Sequence, residues 1–147
     1  VMSEKEITVK EIVKVDDALV SAMNLLVPQL STSNPPPDRS TLEEIVSSDS
    51  SILLAAFIDG EIVGSLTLVV FDIPTGKRAW IEDVVVDKKF RSNGIGKVMN
   101  QHAIGVAEKL GVNTVDLTSR PSREAANRLY KRLGFVQRDT NIYRFEI

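Results

Sequence analysis

The stretch Val84-Val85-Val86-Asp87-Lys88-Lys89-Phe90-Arg91-Ser92-Asn93-Gly94-Ile95-Gly96-Lys97 joins a short apolar segment to a turn that contains two glycines. Three consecutive β-branched residues indicate a buried strand, and an amphipathic helical pattern follows the turn. A strand, a turn and a helix in this order leave backbone N–H groups unpaired at the positive end of a helix dipole. The glycines lack Cβ atoms, so a ligand can approach the backbone closely, and Arg91 and Lys97 add positive charge. The stretch therefore predicts a diphosphate-binding site.

Two better-known phosphate loops are excluded by the spacing of the glycines. The dinucleotide fingerprint has three glycines spaced G-x-G-x-x-G, and only Gly94-Ile95-Gly96 is present here. A P-loop ends in Gly-Lys-Ser/Thr, and the chain lacks that ending as well. The pattern that remains is R-x-x-G-x-G.

The composition narrows the class of protein. With 147 residues the chain is long enough for one domain with a hydrophobic core. The longest purely apolar run, Ile52–Ile58, is too short to span a bilayer, and no charged-then-apolar signal segment opens the chain, so we expect a cytoplasmic protein and no membrane partner. There is no cysteine and only one histidine, His102, which excludes a cysteine or histidine metal site and a thiol nucleophile.

The charge is distributed unevenly along the chain. The net charge is −2, which argues against a general nucleic-acid binder. From Lys77 onward, however, 14 basic residues face 8 acidic ones, whereas the first 76 residues hold 4 basic and 12 acidic. A basic half around a phosphate loop fits an anionic cofactor, and an uneven scatter of charge over a solvated surface is the alternative.

Hydrophobic periodicity and turn signals predict eleven elements in the order β, α, α, β, β, β, α, β, α, β, β. The predicted strands are Ile7–Val13, Ile52–Ile58, Glu61–Phe71, Ala79–Val86, Val112–Ser119, Phe135–Arg138 and Asn141–Glu146, and the predicted helices follow caps at Asp16, Ser40 and Ser122 or begin at about Gly94. Asp59-Gly60 is a strong hairpin signal. This order predicts a mixed α/β (α+β) fold of one domain, residues 1–147, with about four helices and a mostly antiparallel sheet of six to seven strands.

Two segments carry a resemblance to a known family. Arg91-Ser92-Asn93-Gly94-Ile95-Gly96 resembles the R/Q-x-x-G-x-G/A loop of the GNAT superfamily of acetyl-CoA-dependent N-acetyltransferases, and Ala126–Phe135 resembles its A-x-x-L-Y-x-x-x-G-F helix. The spacing of 36 residues from Gly94 to Tyr130, filled by one helix and one strand, is similar to that of the family. The resemblance covers nearly the whole chain.

The resemblance implies a fold, a co-substrate and a binding site. The sheet would splay between strands four and five, at Ile81–Val86 and Val115–Ser119, and the pantetheine arm of acetyl-CoA would lie in the gap. No metal is implied. The implied cofactor-binding residues are Val84, Val85, Val86, Arg91, Ser92, Asn93, Gly94, Ile95, Gly96, Lys97 and Asn127. The valines also serve the core, and an exposed helical asparagine is the ordinary interpretation of Asn127.

Two residues resemble catalytic groups of the family. An alkyl amine has a pKa of about 10 and must lose a proton before it attacks a thioester. Glu82 matches the place of a glutamate that is proposed as the base in diamine acetyltransferases, and Tyr130 resembles the general acid that protonates the sulfur of coenzyme A. Glu82 as a solvated strand carboxylate and Tyr130 as a packing residue are the alternatives. His102 falls on the helix face that is predicted to pack on the sheet, so we interpret it as a core residue.

The resemblance implies direct transfer of an acetyl group to a primary amine, of a small molecule or of a protein or peptide, through a ternary complex. A non-catalytic acyl-CoA-binding or interaction module on the same scaffold is the alternative. The predicted partner is the amine acceptor, and a homodimer is left open. The family's acceptor-binding region corresponds to Val15–Ser51, where we find no motif that identifies the amine.

Overall fold

The computed structural model describes residues 6–147, with five strands and four helices among them. The strands are β1 (Thr8–Glu11), β2 (Ser51–Ile58), β3 (Glu61–Ile73), β4 (Gly76–Val86) and β5 (Thr114–Asp116). The helices are α1 (Asp17–Leu30), α2 (Arg39–Ser47), α3 (Ile95–Lys109) and α4 (Glu124–Arg132), and a 3-10 turn occupies Lys88–Phe90. The chain divides into two compact units, one that reaches to Leu117 and one that comprises Thr118–Ile147.

The first unit is built on a single mixed sheet with the strand order β1-β2-β3-β4-β5. The first four strands pair antiparallel, and β5 pairs parallel to β4. A parallel pair needs a crossover connection, and α3 provides it, in the place between the fourth and fifth strands where the sequence predicts a helix. The hairpin at Asp59-Gly60 is also confirmed, since both residues have the positive φ angles that such a tight turn requires.

Helices α1 and α2 cover one face of this sheet. Leu19 and Met23 of α1, Leu42 of α2 and Leu53 of β2 form a buried cluster there. Burying a leucine side chain contributes about 1.5–3 kcal/mol, so these contacts help to hold both helices against the sheet.

The side chains that precede the two helices fix where the helices begin. Asp16 accepts a hydrogen bond from the backbone N–H of Leu19 at 2.8 Å, as predicted. The predicted cap at Ser40 is wrong, because Asp38 is the cap: it accepts from the N–H of Thr41 at 2.8 Å, and the helix begins at Arg39, two residues earlier than a cap at Ser40 implies. That hydrogen bond lowers the pKa of Asp38, since it stabilises the charged form.

Helix α3 lies on the opposite face of the sheet, close to β3. A Cβ atom on Gly64 of β3 would lie 3.1 Å from Cε of Met99 and 3.1 Å from the carbonyl oxygen of Val85, so only glycine fits without displacement. The buried residues of α3 are Ile95, Met99, Asn100, Ala103 and Ala107. The prediction that His102 packs toward the sheet is wrong: His102 is exposed, because the buried stripe runs through its neighbour Ala103.

The second unit contains α4 and the chain that follows it. The rings of Tyr130 and Phe135 meet edge to face with their centroids 5.8 Å apart. The predicted strands Phe135–Arg138 and Asn141–Glu146 are wrong, because no strand lies in this segment and the side chains of Tyr143 and Phe145 are 89% and 88% exposed. Alternating apolar residues indicate only the tendency to form a strand, whereas a strand also needs a hydrogen-bonded partner.

Within residues 6–147, no helix has the length and apolar character of a membrane span.

Candidate active site

The register between β3 and β4 is interrupted near the end of β4. Thr67 pairs with Glu82 and Ser65 pairs with Val85, so three steps along β4 match two steps along β3. One extra residue is therefore accommodated in β4, and Asp83 takes a positive φ of 49° there. A bulge of this kind leaves backbone groups outside the ladder and redirects the neighbouring side chains. It also interrupts the alternation of faces that a regular strand would give to Glu82 and Asp83.

The other edge of β4 has a partner strand for only part of its length. Pairing with β5 runs from Arg78–Thr114 to Trp80–Asp116. Beyond Trp80, no strand within residues 6–147 pairs with this edge of β4, which continues to Val86. The free edge belongs to the segment that carries the bulge, and its backbone groups other than the carbonyl of Val86, which accepts from Arg91, are therefore open to hydrogen bonding by a ligand.

Glu82 lies on the face of the sheet that α1 and α2 cover. Directly opposite residues in neighbouring strands share a face, and the register runs from Leu53, in the α1–α2 cluster, through Thr67 to Glu82. Partial burial raises the pKa of Glu82, and the negative charge of Asp83 raises it further. Both effects favour the protonated carboxyl. Glu82 is therefore a better proton acceptor than an ordinary surface glutamate.

The connection from β4 to α3 is organised by its own side chains. Asp87 begins the 3-10 turn and accepts a hydrogen bond from the N–H of Lys89 at 3.2 Å. Asn93 donates from its amide to the carbonyl of Phe90 at 2.9 Å and to that of Arg91 at 3.1 Å. The guanidinium of Arg91 donates to the carbonyl of Val86 at 3.2 Å. These contacts hold the loop in a defined shape without using the N–H groups of the first turn of α3.

The first turn of α3 presents the unpaired donors that the sequence predicted. Gly94 is the N-cap, with a left-handed φ of 80° and no side chain to cap the helix. The first helical hydrogen bond runs from the N–H of Val98 to the carbonyl of Gly94 at 3.1 Å. The N–H groups of Ile95, Gly96 and Lys97 therefore precede the first intrahelical bond. Together with the helix dipole they suit an anion such as a phosphate.

The predicted binding residues differ in what they leave available to a ligand. The side chains of Val85 and Ile95 are 6% and 1% exposed, so these two residues can meet a ligand only through the backbone. Arg91, Ser92 and Lys97 are exposed, and Ser92 has a positive φ of 67°. The positive charges at the loop therefore lie at the surface, that of Arg91 with its Nε already bonded to the carbonyl of Val86.

In the second unit, Tyr130 lies on α4. Burial raises the pKa of the Tyr130 phenol, and the charge of Arg123 lowers it by a smaller amount. The phenol consequently keeps its proton at neutral pH and can act as a proton donor. Asn127, which the family resemblance implies to be a cofactor-binding residue, uses its amide group within the protein. The amide donates to the carbonyls of Arg120 at 2.9 Å and Arg123 at 2.8 Å. It thereby shapes the loop before α4, which begins at Glu124 rather than after the predicted cap at Ser122.

The sequence model of the acetyltransferase (GNAT) family matches residues 19–135, which is more than half of the chain. The chain belongs to this family. The uncharacterized N-acetyltransferase YhdJ of Bacillus subtilis is 35% identical over 99 residues, which are 65% of this chain and 68% of that protein. The ribosomal protein bS18 alanine N-acetyltransferase of Escherichia coli is 37% identical over 71 residues, 48% of this chain and 45% of that enzyme.

A solved structure gives the same fold assignment. The structure of AAC(6')-Iy in complex with the bisubstrate analog CoA-S-monomethyl-acetylneamine matches with a TM-score of 0.78 and 18% identity, over 97% of this chain and 99% of that chain. The chain spans less than half of the ribosomal protein acetyltransferase that it matches. The likeness to the solved structure shows the GNAT acetyltransferase fold.

Two features of the site could not be found from the sequence. The bulge at Asp83 has no local signal, because Glu82-Asp83-Val84 reads as ordinary strand and only the pairing with β3 reveals the extra residue. Gln29 was also missed. Its side chain reaches the 3-10 turn 59 residues away in the sequence, and no motif connects the two.

Proposed function

We propose that this protein transfers the acetyl group of acetyl-CoA directly to a primary amine. The observation that carries the proposal is the first turn of α3, where three unpaired N–H groups follow the left-handed Gly94. The membership of the GNAT family supports acetyl-CoA as the co-substrate. We also propose that residues 1–147 form one acetyltransferase domain. The family match supports this, because it runs from residue 19 to residue 135.

The diphosphate of acetyl-CoA is assigned to the loop Arg91–Lys97. Backbone N–H groups of Ile95, Gly96 and Lys97 donate to its oxygens, and the exposed side chains of Arg91 and Lys97 neutralise part of its charge. Asn93 keeps the loop in shape through its bonds to Phe90 and Arg91. Ser92 and the amide oxygen of Asn127 are proposed as further polar contacts on the basis of the family resemblance.

The pantetheine arm is assigned to the free edge of β4. Its amide groups would hydrogen-bond to the backbone of Val84, Val85 and Val86 as an additional strand does. The end of the β4–β5 pairing at Trp80 and Asp116 supports this, since the splay that the family resemblance implies begins beyond that pair. The carbonyl of Val86 already accepts from Arg91, so this contact would have to open if the arm used the same oxygen.

Glu82 and Tyr130 are proposed to move the protons. Glu82, with its raised pKa, takes the proton of the amine directly or through water. A backbone N–H of the bulged segment near Val84 and Val85 stabilises the negative charge that develops on the thioester oxygen. Tyr130, whose pKa is raised, keeps a proton to give to the departing sulfur. With no cysteine in the chain, an acetyl-enzyme intermediate is not part of the mechanism, and a ternary complex is.

The acceptor is assigned only as a primary amine, of a small molecule or of a protein or peptide. One relative is named for the alanine of a ribosomal protein, and a solved structure with the same fold holds an acetylneamine analog. A non-catalytic acyl-CoA-binding module remains the second candidate, since the same loop serves both. Cytoplasmic location and a homodimer remain predictions from the sequence.

The test is a panel of primary amines, including amino acids, diamines, an aminoglycoside and peptides, assayed for release of free thiol from acetyl-CoA. We expect acceptor-dependent release with at least one class, and binding of acetyl-CoA by calorimetry at micromolar to high micromolar concentration. Binding without release for any amine favours the binding module. Absence of binding, or isolation of an acetylated enzyme that passes its group to amine, contradicts the proposed function.

A further inference from the structure

The 3-10 turn before the loop has two backbone donors that the turn itself cannot satisfy. The turn contains one internal bond, from the N–H of Phe90 to the carbonyl of Asp87 at 2.8 Å. The N–H groups of Lys88 and Lys89 precede it and need other acceptors. The carboxylate of Asp87 serves Lys89 at 3.2 Å. The remaining donor, the N–H of Lys88, is served by the side chain of a residue in helix α1.

That residue is Gln29, in the last turn of α1. Its side-chain oxygen accepts from the N–H of Lys88 at 2.8 Å. Its amide nitrogen lies 3.4 Å from the carboxylate of Asp87 and donates to the carbonyl of Leu25 at 3.2 Å. One side chain therefore contacts its own helix and both residues that begin the turn.

One of the groups that Gln29 contacts is a buried carboxylate. Asp87 is only 3% exposed, and a buried carboxylate depends on the donors around it. Asn93 then ties the end of the turn to the loop through its 2.9 Å bond to Phe90. A continuous set of hydrogen bonds thus runs from Gln29 through Lys88 and the turn to Asn93, next to Gly94.

We propose that Gln29 is a positioning residue for the diphosphate loop. It fixes the start of the turn before acetyl-CoA binds, so that the N–H groups of the first turn of α3 already have the geometry that the diphosphate needs. A loop that must be ordered on binding costs affinity, and a loop that is ordered beforehand does not. This inference rests on the proposed function, because it takes the loop as the site of the diphosphate.

The test compares Gln29→Leu with a matched control, Gln101→Leu, which makes the same change at an exposed glutamine of α3. The first measurement is hydrogen exchange at the amide of Lys88. We expect exchange to be about tenfold faster in Gln29→Leu and unchanged in the control, since the protecting acceptor is lost only in the former. If Gln29→Leu does not fold, Gln29→Met takes its place, because methionine has the same length and is a strong helix former.

The second measurement is the affinity for coenzyme A by calorimetry. We expect Gln29→Leu to weaken it by about three- to thirtyfold, the range that one or two ordinary hydrogen bonds correspond to. Binding of pantetheine, which has no diphosphate, should change by less than about twofold on the same scale. A merely structural role of Gln29 would weaken both ligands or neither.

The outcomes separate this inference from the proposed function. A wild-type protein that does not bind coenzyme A overturns both. A wild-type protein that binds it, beside a Gln29→Leu variant of unchanged affinity or of unchanged Lys88 exchange, overturns only the role of Gln29. Equal losses for coenzyme A and pantetheine also overturn it.

Discussion

Asp83 follows Glu82 at the bulge of β4, and its negative charge adds to burial in raising the pKa of the Glu82 carboxyl. The relationship depends on the backbone as much as on the side chains, since Asp83 takes a positive φ that few residues other than glycine adopt. Backbone strain of this kind is found where the surrounding structure requires it, often at functional sites. Asp83 is thus positioned to tune the proposed base.

Glu82→Gln is expected to lower turnover most between the pKa of Glu82 and that of the amine, where the wild-type carboxylate is ionised and the amine is still protonated, and the deficit should shrink below the pKa of Glu82. General base catalysis is typically worth about 10²–10⁴-fold, and we expect a value near the lower end because water can partly replace a base. The pH dependence of kcat/KM with the best amine of the panel measures the effect. Turnover equal to wild type at every pH would show that Glu82 is a solvated carboxylate.

Asp83→Asn provides a more specific test of the same assignment. Removing the neighbouring charge should lower the pKa of Glu82 toward 4.5, so the acidic limb of the kcat/KM profile should move to lower pH. The direction follows from the sign of the Asp83 effect. A limb that stays in place, in a variant that folds normally, would mean that another group controls it.

The raised pKa of Glu82 also predicts an effect on stability. A carboxyl whose pKa is higher in the folded than in the unfolded protein binds more protons when folded, so it disfavours folding above its folded pKa and ceases to do so below the unfolded value of about 4.5. Glu82→Gln should therefore raise the melting temperature at neutral pH, and the gain should vanish as the pH falls through that window. Thermal unfolding at several pH values measures it, and a gain that persists at low pH would contradict the cause.

The loop is tested by substitution at Gly94. A Cβ there meets no atom within 4 Å, but the φ of 80° disfavours any residue with a side chain. Gly94→Val should weaken binding of coenzyme A by about tenfold or more, equivalent to about 1.4 kcal/mol, while the fold persists. Gly105→Val is the matched control, because its Cβ also meets nothing within 4 Å and its φ is not in the left-handed region. Calorimetry compares the two, and unchanged affinity in Gly94→Val would mean that the diphosphate binds elsewhere.

Much of the first unit could be predicted because its signals are local. The cap at Asp16, the hairpin at Asp59-Gly60 and the start of a helix at about Gly94 each depend on a few neighbouring residues. The turn and the unpaired donors of the proposed diphosphate site were accordingly predicted from one stretch.

The features that escaped prediction depend on residues far apart in the sequence. The bulge at Asp83 exists only relative to the register with β3, and the acceptor of the Lys88 N–H comes from α1. The segment after Phe135 has the alternation of a strand, yet a strand also requires a partner, which sequence alternation cannot supply. His102 shows the same limit on a smaller scale, since one step around the helix separates it from buried Ala103.

Tyr130→Phe is expected to lower kcat with little change in the affinity for acetyl-CoA. An interaction that forms only in the transition state affects the rate and not the binding of substrate. Loss of a general acid is typically worth about 10²–10⁴-fold. Phenylalanine retains the edge-to-face contact with Phe135, so the variant should fold and the change should be confined to the hydroxyl.

Tyr143→Phe removes the same hydroxyl from the only other tyrosine, which is 89% exposed, and should leave kcat unchanged. Thiol release under saturating acetyl-CoA, with calorimetry for affinity, separates the two effects. Full turnover in Tyr130→Phe on the best acceptor would make Tyr130 a packing residue, and a parallel loss of affinity would assign it to binding instead of proton transfer.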